Sequence, residues 1–183
     1  MTKRTTLIFA AALAIGVVFV VHALDFPGSV PRFEKLSGGG VLLDAVPSFN
    51  VDDVYRRLSD YGQQGRDSYR FRNVTVDVLL PLSVLPLLFL ITRQALERSQ
   101  RTRLFRGVLF ALPFAYVVLD FAENAQVLFL LNHYPRRIDA VAGILPYVTS
   151  LKRAASLLAI FVPLAMLAFQ FFRSRQLAHA AAR

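Results

Sequence analysis

The side chains best suited to chemistry are acids and an amide inside an apolar stretch. Asp120, Glu123 and Asn124, together with Gln126, lie within residues 108–131, an otherwise apolar run long enough to cross a bilayer. In a helix, the spacing i, i+3, i+4 puts the first three side chains on one face. A carboxylate in the centre of a membrane helix is costly unless it meets protein, water or an opposite charge. The pattern therefore predicts a polar site within the membrane.

A further acid, Asp77, lies three residues into a second apolar stretch, residues 74–92. A rise of about 1.5 Å per residue puts Asp77 roughly 5 Å below the edge of the hydrocarbon core, close to the height of Glu123. Pro81 has no amide hydrogen, so the carbonyl of Asp77, four residues earlier, loses its helical donor. We therefore predict that the face formed by Asp120, Glu123 and Asn124 points at Asp77.

Two kinds of chemistry fit these acids. In the first, basic side chains neutralise them and the pairs fix how the helices pack. In the second, closely spaced carboxylates exchange protons and act as acid and base, with Asp77, Asp120 and Glu123 as the catalytic candidates. The basic residues nearest in height are Arg66, Arg70, Arg72, Arg136, Arg137, Lys152 and Arg153. The predicted ligand contacts are Asn124, Arg66, Tyr69, Arg70 and His133.

Other chemistries have little support in the sequence. His22 is expected at about the same membrane depth as Asp77 and Glu123, and it could join His133 and the acids around a metal. These residues, however, show no metal-binding spacing. The chain has no cysteine, which excludes disulfides and thiol catalysis. Neither a nucleophile motif nor a glycine-rich phosphate loop is present. We therefore predict no metal and no cofactor.

Composition places these residues in a membrane protein. The 183-residue chain is 55% hydrophobic, with a mean hydropathy of +0.48. Four apolar stretches reach or approach the length of about 20 residues that a membrane helix needs. They are residues 7–24, 74–92, 108–131 and 154–172. The predicted fold is an all-α integral membrane four-helix bundle, forming a single membrane domain over residues 1–183.

The first apolar stretch has two readings. It could be a signal peptide cleaved after Val21-His22-Ala23, or a retained membrane helix. We expect retention, because the stretch is long for a signal peptide and three more spans follow.

The connection between the first two spans, residues 25–73, is expected to be partly helical. Its glycines and prolines predict a loop over residues 25–40. Asn50 then offers a helix N-cap and Gly62 a left-handed stop, which predicts an amphipathic helix on the membrane or over the helix ends. A long helix is expected over residues 66–94, and a re-entrant or interfacial turn over 138–150.

Charge predicts the orientation. The net charge is +9, but the basic residues flank the spans, so no nucleic acid partner is expected. Residues 1–6, 93–106 and 173–183 carry ten of the 21 lysines and arginines. By the positive-inside rule, these pieces and both termini are cytoplasmic, and residues 25–73 are extracytoplasmic. We expect a membrane location.

Three short motifs resemble a known group of sequences. They are YGQQGRDSY at residues 61–69, DVLLPL at 77–82 and DFAEN at 120–124. Together they resemble uncharacterised bacterial four-span membrane proteins with an outer loop between the first two spans. This resemblance covers about residues 44–131 and implies the fold and a bacterial inner-membrane location, but no activity. A weaker likeness is to the four-span sterol isomerase and sigma-2 receptor group.

Two functions follow as expectations. The first is a non-enzymatic accessory or ligand-binding protein with a polar site in the outer half of the membrane. Its partners would be membrane lipid, a small apolar ligand or another membrane protein. The second is an intramembrane enzyme performing acid–base chemistry on a lipid or isoprenoid-like substrate. An apolar pocket large enough for a lipid would favour the enzyme, and a fully paired polar cluster the binding protein.

Overall fold

The computed structural model describes residues 2–97, 99 and 102–181. All regular secondary structure in this part of the chain is helical. The helices are α1 (Lys3–Ala23), α2 (Val30–Leu36), α3 (Val51–Asp60), α4 (Gly62–Val74), α5 (Val76–Glu97), α6 (Arg103–His133) and α7 (Asp139–Ala181). The all-α prediction is therefore confirmed.

Four helical stretches in the described part of the chain are long and apolar enough to cross a membrane. They are Arg4–Ala23, Gly62–Glu97, Arg103–His133 and Asp139–Gln176. The second combines α4 and α5, which are separated only at Thr75. The last three stretches contain the predicted spans 74–92, 108–131 and 154–172 and extend beyond them, and the first covers the predicted span 7–24 except for residue 24.

The long helices do not contribute equally to the packing. Helix α5 contacts α1, α6 and α7, and the most extensive contact is between α6 and α7. Buried side chains between these three helices include Leu88, Tyr116 and Ala159. Helix α1 packs against α2 and α5 through its buried Ala10, Ala14 and Val21 face, but shares no extended contact with α7 in the described residues. A gap therefore separates α1 from α7.

Residues 25–74, here called the connecting segment, fold over one end of the long helices. Their apolar side chains form a cluster with the end of α6 and the first turns of α7. Its buried members are Phe33, Leu42, Leu43, Val54, Tyr55, Leu58, Tyr61, Tyr69, Val127, Leu130, Leu131, Ala142 and Leu145. The connecting segment is thus built around a buried core.

Helix α3 is confirmed as predicted and covers the helix ends. Asn50 caps it, because Asn50 Oδ1 accepts a hydrogen bond of 2.9 Å from the Asp52 amide. Gly62 follows its C-terminus with φ +60°, a conformation that glycine adopts without strain. The apolar face of α3 enters the cluster through Val54 and Leu58.

The loop predicted over residues 25–40 is wrong in part, since it contains α2. Pro31 lies in the first turn of α2, where its missing amide hydrogen costs nothing because first-turn amides lack helical partners. Ser29 caps the helix by accepting a hydrogen bond of 3.2 Å from the Arg32 amide. The proline that predicted a loop therefore begins a helix.

Two helix boundaries also differ from the predictions. The helix predicted over residues 66–94 is interrupted at Thr75, which has φ −120° and ψ −78°. The turn predicted over residues 138–150 is instead the beginning of α7, which continues through Pro146 and Pro163. Helix α7 packs extensively against α6, and such tertiary packing supports a continuous helix despite the two prolines.

Candidate functional site

The acidic face of α6 lies inside the protein. Asp120, Glu123 and Asn124 are all buried, and Glu123 is completely inaccessible. Their spacing along α6 gives one face, as the sequence predicted. This face meets α5 and α7, so each polar group has partners on other helices.

Lys152 of α7 neutralises the two carboxylates of α6. Lys152 Nζ contacts Glu123 Oε2 and lies 3.2 Å from Asp120 Oδ1. Thr149, one turn earlier, donates its hydroxyl hydrogen bond to Glu123 Oε1. A buried charge of this kind is tolerated only when it is paired and hydrogen-bonded. One lysine thus holds α6 and α7 together through two acids.

Asp77 is paired with Arg72 across the interruption between α4 and α5. Arg72 Nη2 lies 2.7 Å from Asp77 Oδ1, and both side chains are buried. Arg72 Nη1 also donates a 3.0 Å hydrogen bond to the carbonyl of Gly28. Gly28 has φ +90° and lies against Val76, so a side chain there would be strained and would clash. The ion pair therefore links the connecting segment to the start of α5.

Asn124 links the Arg72–Asp77 pair to Asp120, which is paired with Lys152. Asn124 Nδ2 donates to the Asp77 carbonyl at 3.1 Å and to Asp120 Oδ2 at 3.2 Å. This carbonyl is the one that Pro81 deprives of a helical donor. The predicted approach of the α6 face to Asp77 is confirmed, and an amide on α6 replaces the missing backbone hydrogen bond.

Asp44 brings the connecting segment to the same place. Its Oδ1 accepts a 2.5 Å hydrogen bond from the hydroxyl of the buried Tyr69. Arg153 Nη2 donates to the carbonyl oxygens of Asp44 at 2.9 Å and of Ala45 at 2.5 Å. Residues 44–45 are thereby fastened to α7 beside Lys152.

These groups surround a cavity of about 340 Å³. It is bounded by side chains from α1, α4, α5, α6 and α7, together with Asp44. They are His22, Asp44, Arg72, Asp77, Leu80, Pro81, Tyr116, Asp120, Asn124, Lys152, Arg153, Ser156 and Leu157. His22 and Leu157 come from the two long helices that are separated by a gap. The cavity, here called the α1–α7 cavity, therefore occupies that gap at the end covered by the connecting segment.

The predicted site residues separate into two groups. Asp77, Asp120 and Asn124 line the α1–α7 cavity, and His22 lies there too, at the level the sequence indicated. Glu123 does not line it and lies behind Lys152. Tyr69 contributes only indirectly, through its hydrogen bond to Asp44.

Two other predicted ligand contacts, Arg66 and Arg70, bind within the connecting segment or join it to α6, whereas His133 bonds within α6. Arg66 donates a 2.8 Å hydrogen bond to the Leu58 carbonyl and lies over the Tyr134 ring, 4.4 Å from its centroid. Arg70 donates to Asn132 Oδ1 at 3.1 Å and to the Leu131 carbonyl. His133 Nδ1 contacts the Phe129 carbonyl at 2.8 Å. None of these three is among the cavity-lining residues.

Sequence reasoning missed Asp44 and Tyr116 as parts of the site. Asp44 follows two leucines in a segment without periodicity, and Tyr116 sits among apolar residues like many core tyrosines. Lys152 and Arg72 were among the basic residues expected at the membrane depth of the acids, but five other basic residues met the same criterion. Among the described residues, no group of three histidines or acids is arranged to hold a metal ion.

Comparison with known proteins gives no match: no protein-family model, no curated protein and no solved structure is significantly similar to the chain. The resemblance to bacterial four-span proteins therefore stays a prediction.

Proposed function

We propose that the chain is a non-enzymatic, multi-pass membrane protein that binds a small amphiphile in the α1–α7 cavity. The observation that carries the proposal is the place of this cavity, in a gap between two apolar helices and surrounded by buried charges. An apolar tail can remain in the bilayer while a polar end enters such a gap. The four long helices then act as a bundle that supports one polar site.

The pairing of the acids supports binding rather than catalysis. Asp120 and Glu123 share Lys152, and Asp77 is held by Arg72. Glu123, one of the three acids considered for catalysis, is fully buried and outside the cavity lining. Fixed pairs of this kind position helices and shape a cavity without supplying a free base.

The proposed orientation puts the cavity in the outer half of a bacterial inner membrane. The arginine-rich stretch of residues 93–106 is then cytoplasmic, as are both termini, and the connecting segment is extracytoplasmic. We expect that an impermeant thiol reagent labels Ser59→Cys but not Ser99→Cys in intact cells. Labelling at Ser99→Cys alone would reverse the orientation and put the cavity in the inner half.

The binding proposal is tested by mass spectrometry of protein purified in mild detergent. The unaltered protein should retain a small amphiphile. Ser156→Phe, which fills the cavity from α7, should lose it. Ser174→Phe makes the same change at an exposed site on the same helix and should keep it. Equal retention by both variants would contradict binding in this cavity.

An intramembrane acid–base enzyme is the second candidate. It is favoured by Asp77, whose Oδ2 atom is buried without a hydrogen-bond partner among the described residues. A carboxylate oxygen with no fixed partner could take a proton from a substrate in the adjoining cavity. Lipid profiles of cells producing the unaltered protein or Asp77→Asn would test this. A lipid that accumulates only in Asp77→Asn cells would favour the enzyme.

A further inference from the structure

The charges around the α1–α7 cavity favour a ligand with a cationic group. Asp44, Asp77 and Asp120 line the cavity, and Glu123 lies directly behind it. The described lining also holds three cationic side chains, Arg72, Lys152 and Arg153, and Lys152 is shared between Asp120 and Glu123. The cluster therefore carries one unit of formal negative charge in excess, which a cation on the ligand would balance.

The Arg72–Asp77 pair leaves hydrogen-bonding capacity unused. Asp77 is 7% exposed and Arg72 is 3% exposed. Asp77 Oδ2 and Arg72 Nε have no hydrogen-bond partner in the described part of the chain. Buried polar atoms in folded proteins nearly always have partners, so each exception calls for an explanation. A ligand N–H donor in the cavity would satisfy Asp77 Oδ2.

The rim of the cavity differs from its interior. Arg153 and His22 are exposed, whereas Asp77, Asp120 and Asn124 are buried. The guanidinium group of Arg153 has five N–H donors, and its bonds to the Asp44 and Ala45 carbonyls use only Nη2. The interior thus holds ion-paired acids with Asp77 Oδ2 left unpaired in the described part of the chain, and the rim holds the cationic Arg153, which suits a zwitterion that enters with its cationic end first.

The size of the cavity limits what can enter. At about 340 Å³ it is near the lower end of the range for small-molecule pockets, about 300–1,000 Å³. A polar headgroup fits this volume, but two acyl chains do not. The apolar groups on either side, Leu80 and Leu157, would lie beside the first methylenes of a chain that stays in the bilayer.

We propose that the α1–α7 cavity recognises a phosphate ester with a primary ammonium group, as in an ethanolamine phospholipid headgroup. The ammonium group occupies the interior near Asp77 and Asp120, and the phosphate lies at the rim near Arg153. This inference depends on the proposed function and adds the chemistry of the ligand to it.

The main test uses the unaltered protein and native mass spectrometry. The protein in detergent is titrated with phospholipids that share acyl chains but differ in headgroup: ethanolamine, its mono- and dimethylated forms, choline and glycerol. Methylation keeps the positive charge and removes N–H donors one at a time. We expect affinity to fall along this series, with ethanolamine at least about tenfold tighter than glycerol, because charged hydrogen bonds are the stronger ones.

Free phosphoethanolamine, added as a competitor, separates the two sources of this headgroup. If it displaces the ethanolamine lipid at similar concentrations, the natural ligand is a soluble phosphate ester of the same chemistry. If a large excess is needed, the ligand is the lipid. Both results support recognition of the headgroup.

Variants locate the two ends of the ligand. Arg153→Gln should weaken ethanolamine and glycerol lipids alike, because both carry the phosphate. Asp77→Asn should remove the preference between them, and circular dichroism checks that it folds. Asp60→Asn, an exposed change in the connecting segment, is the control for both.

Equal affinity for all headgroups, or tighter binding of glycerol, would overturn the inference and leave the binding function standing. Absence of any lipid or phosphoethanolamine binding would overturn both.

Discussion

The connecting segment mainly buries apolar side chains and exposes charged ones, whereas the long helices expose large apolar side chains and bury charged ones. In the connecting segment, apolar and aromatic side chains such as Leu58 and Phe33 are buried, and charged pairs such as Arg56–Asp60 are exposed. In the long helices, large apolar side chains such as Phe161 and Phe169 are exposed, and the charged residues Glu123 and Lys152 lie inside. Burial of apolar surface therefore stabilises the first region. Paired charges and close packing stabilise the second in the proposed membrane, where its apolar surface would face lipid.

The largest effect should follow loss of the lysine inside the helices. Lys152→Met leaves Asp120 and Glu123 close together without their cation, so we expect a loss of about 3–5 kcal/mol in unfolding free energy. Sodium dodecyl sulfate titration followed by circular dichroism measures it. Arg93→Met, in an exposed pair on α5, should change stability by at most about 1 kcal/mol. Similar losses for the two variants would contradict the importance of the buried charges.

A pair of leucine substitutions tests the other side of the comparison. Leu58→Ala opens a cavity in the buried cluster and should cost about 2–5 kcal/mol. Leu158→Ala, at a side chain that is 49% exposed on α7, should cost much less, since lipid fills the space. The same detergent titration compares them. A larger loss for Leu158→Ala would show that α7 packs against protein at this position.

Double-mutant cycles compare an exposed ion pair within the connecting segment with the buried pair that joins this segment to α5. Arg72→Met and Asp77→Asn remove a buried pair at 2.7 Å, and their coupling should be about 0.5–3 kcal/mol. Arg56→Met and Asp60→Asn remove an exposed pair at 3.2 Å, expected to couple by about 0.3–0.5 kcal/mol. Coupling energies come from the four unfolding curves of each cycle. Equal couplings would remove the distinction between buried and exposed pairs.

The smallest effect concerns acid sensitivity of the connecting segment. A hydrogen bond from the Ser48 side chain, together with Arg56 and Arg57, lowers the pKa of Asp53 below its ordinary value of 3.8. A carboxylate with a lowered pKa stabilises the fold above the unfolded value, and this contribution is lost as pH falls through the folded value. Asp53→Asn should therefore reduce the loss of stability between about pH 5 and pH 2. Thermal melts across this range measure it, and Ser48→Ala should give a smaller change in the same direction.

Local rules predicted the part of the structure that depends on short stretches of sequence. Helix α3 was predictable because Asn50 and Gly62 act on their own neighbours. The approach of Asn124 to Asp77 was predictable because a proline frees one specific carbonyl and helix rise sets its height. Both predictions need only distances along one helix or between two adjacent helices.

The remaining features depend on tertiary contacts. Seven basic residues had suitable heights, and only the packing of α7 on α6 brings Lys152 to both acids. Asp44 joins the site because the surrounding cluster brings Tyr69 to its carboxylate. Pro31 was misread because proline marks both loops and helix starts. A single sequence contains no rule that decides these cases.

The distribution of aromatic residues gives the unmodified protein two independent optical signals. The chain has no tryptophan and six tyrosines, so tyrosines dominate its near-ultraviolet circular dichroism. Tyr55, Tyr61 and Tyr69 are buried in the connecting segment, whereas Tyr116 is buried among the long helices. The near-ultraviolet band therefore reports chiefly on the connecting segment, and the far-ultraviolet band on the total helix. If the two bands are lost at different temperatures, the connecting segment unfolds separately from the membrane helices.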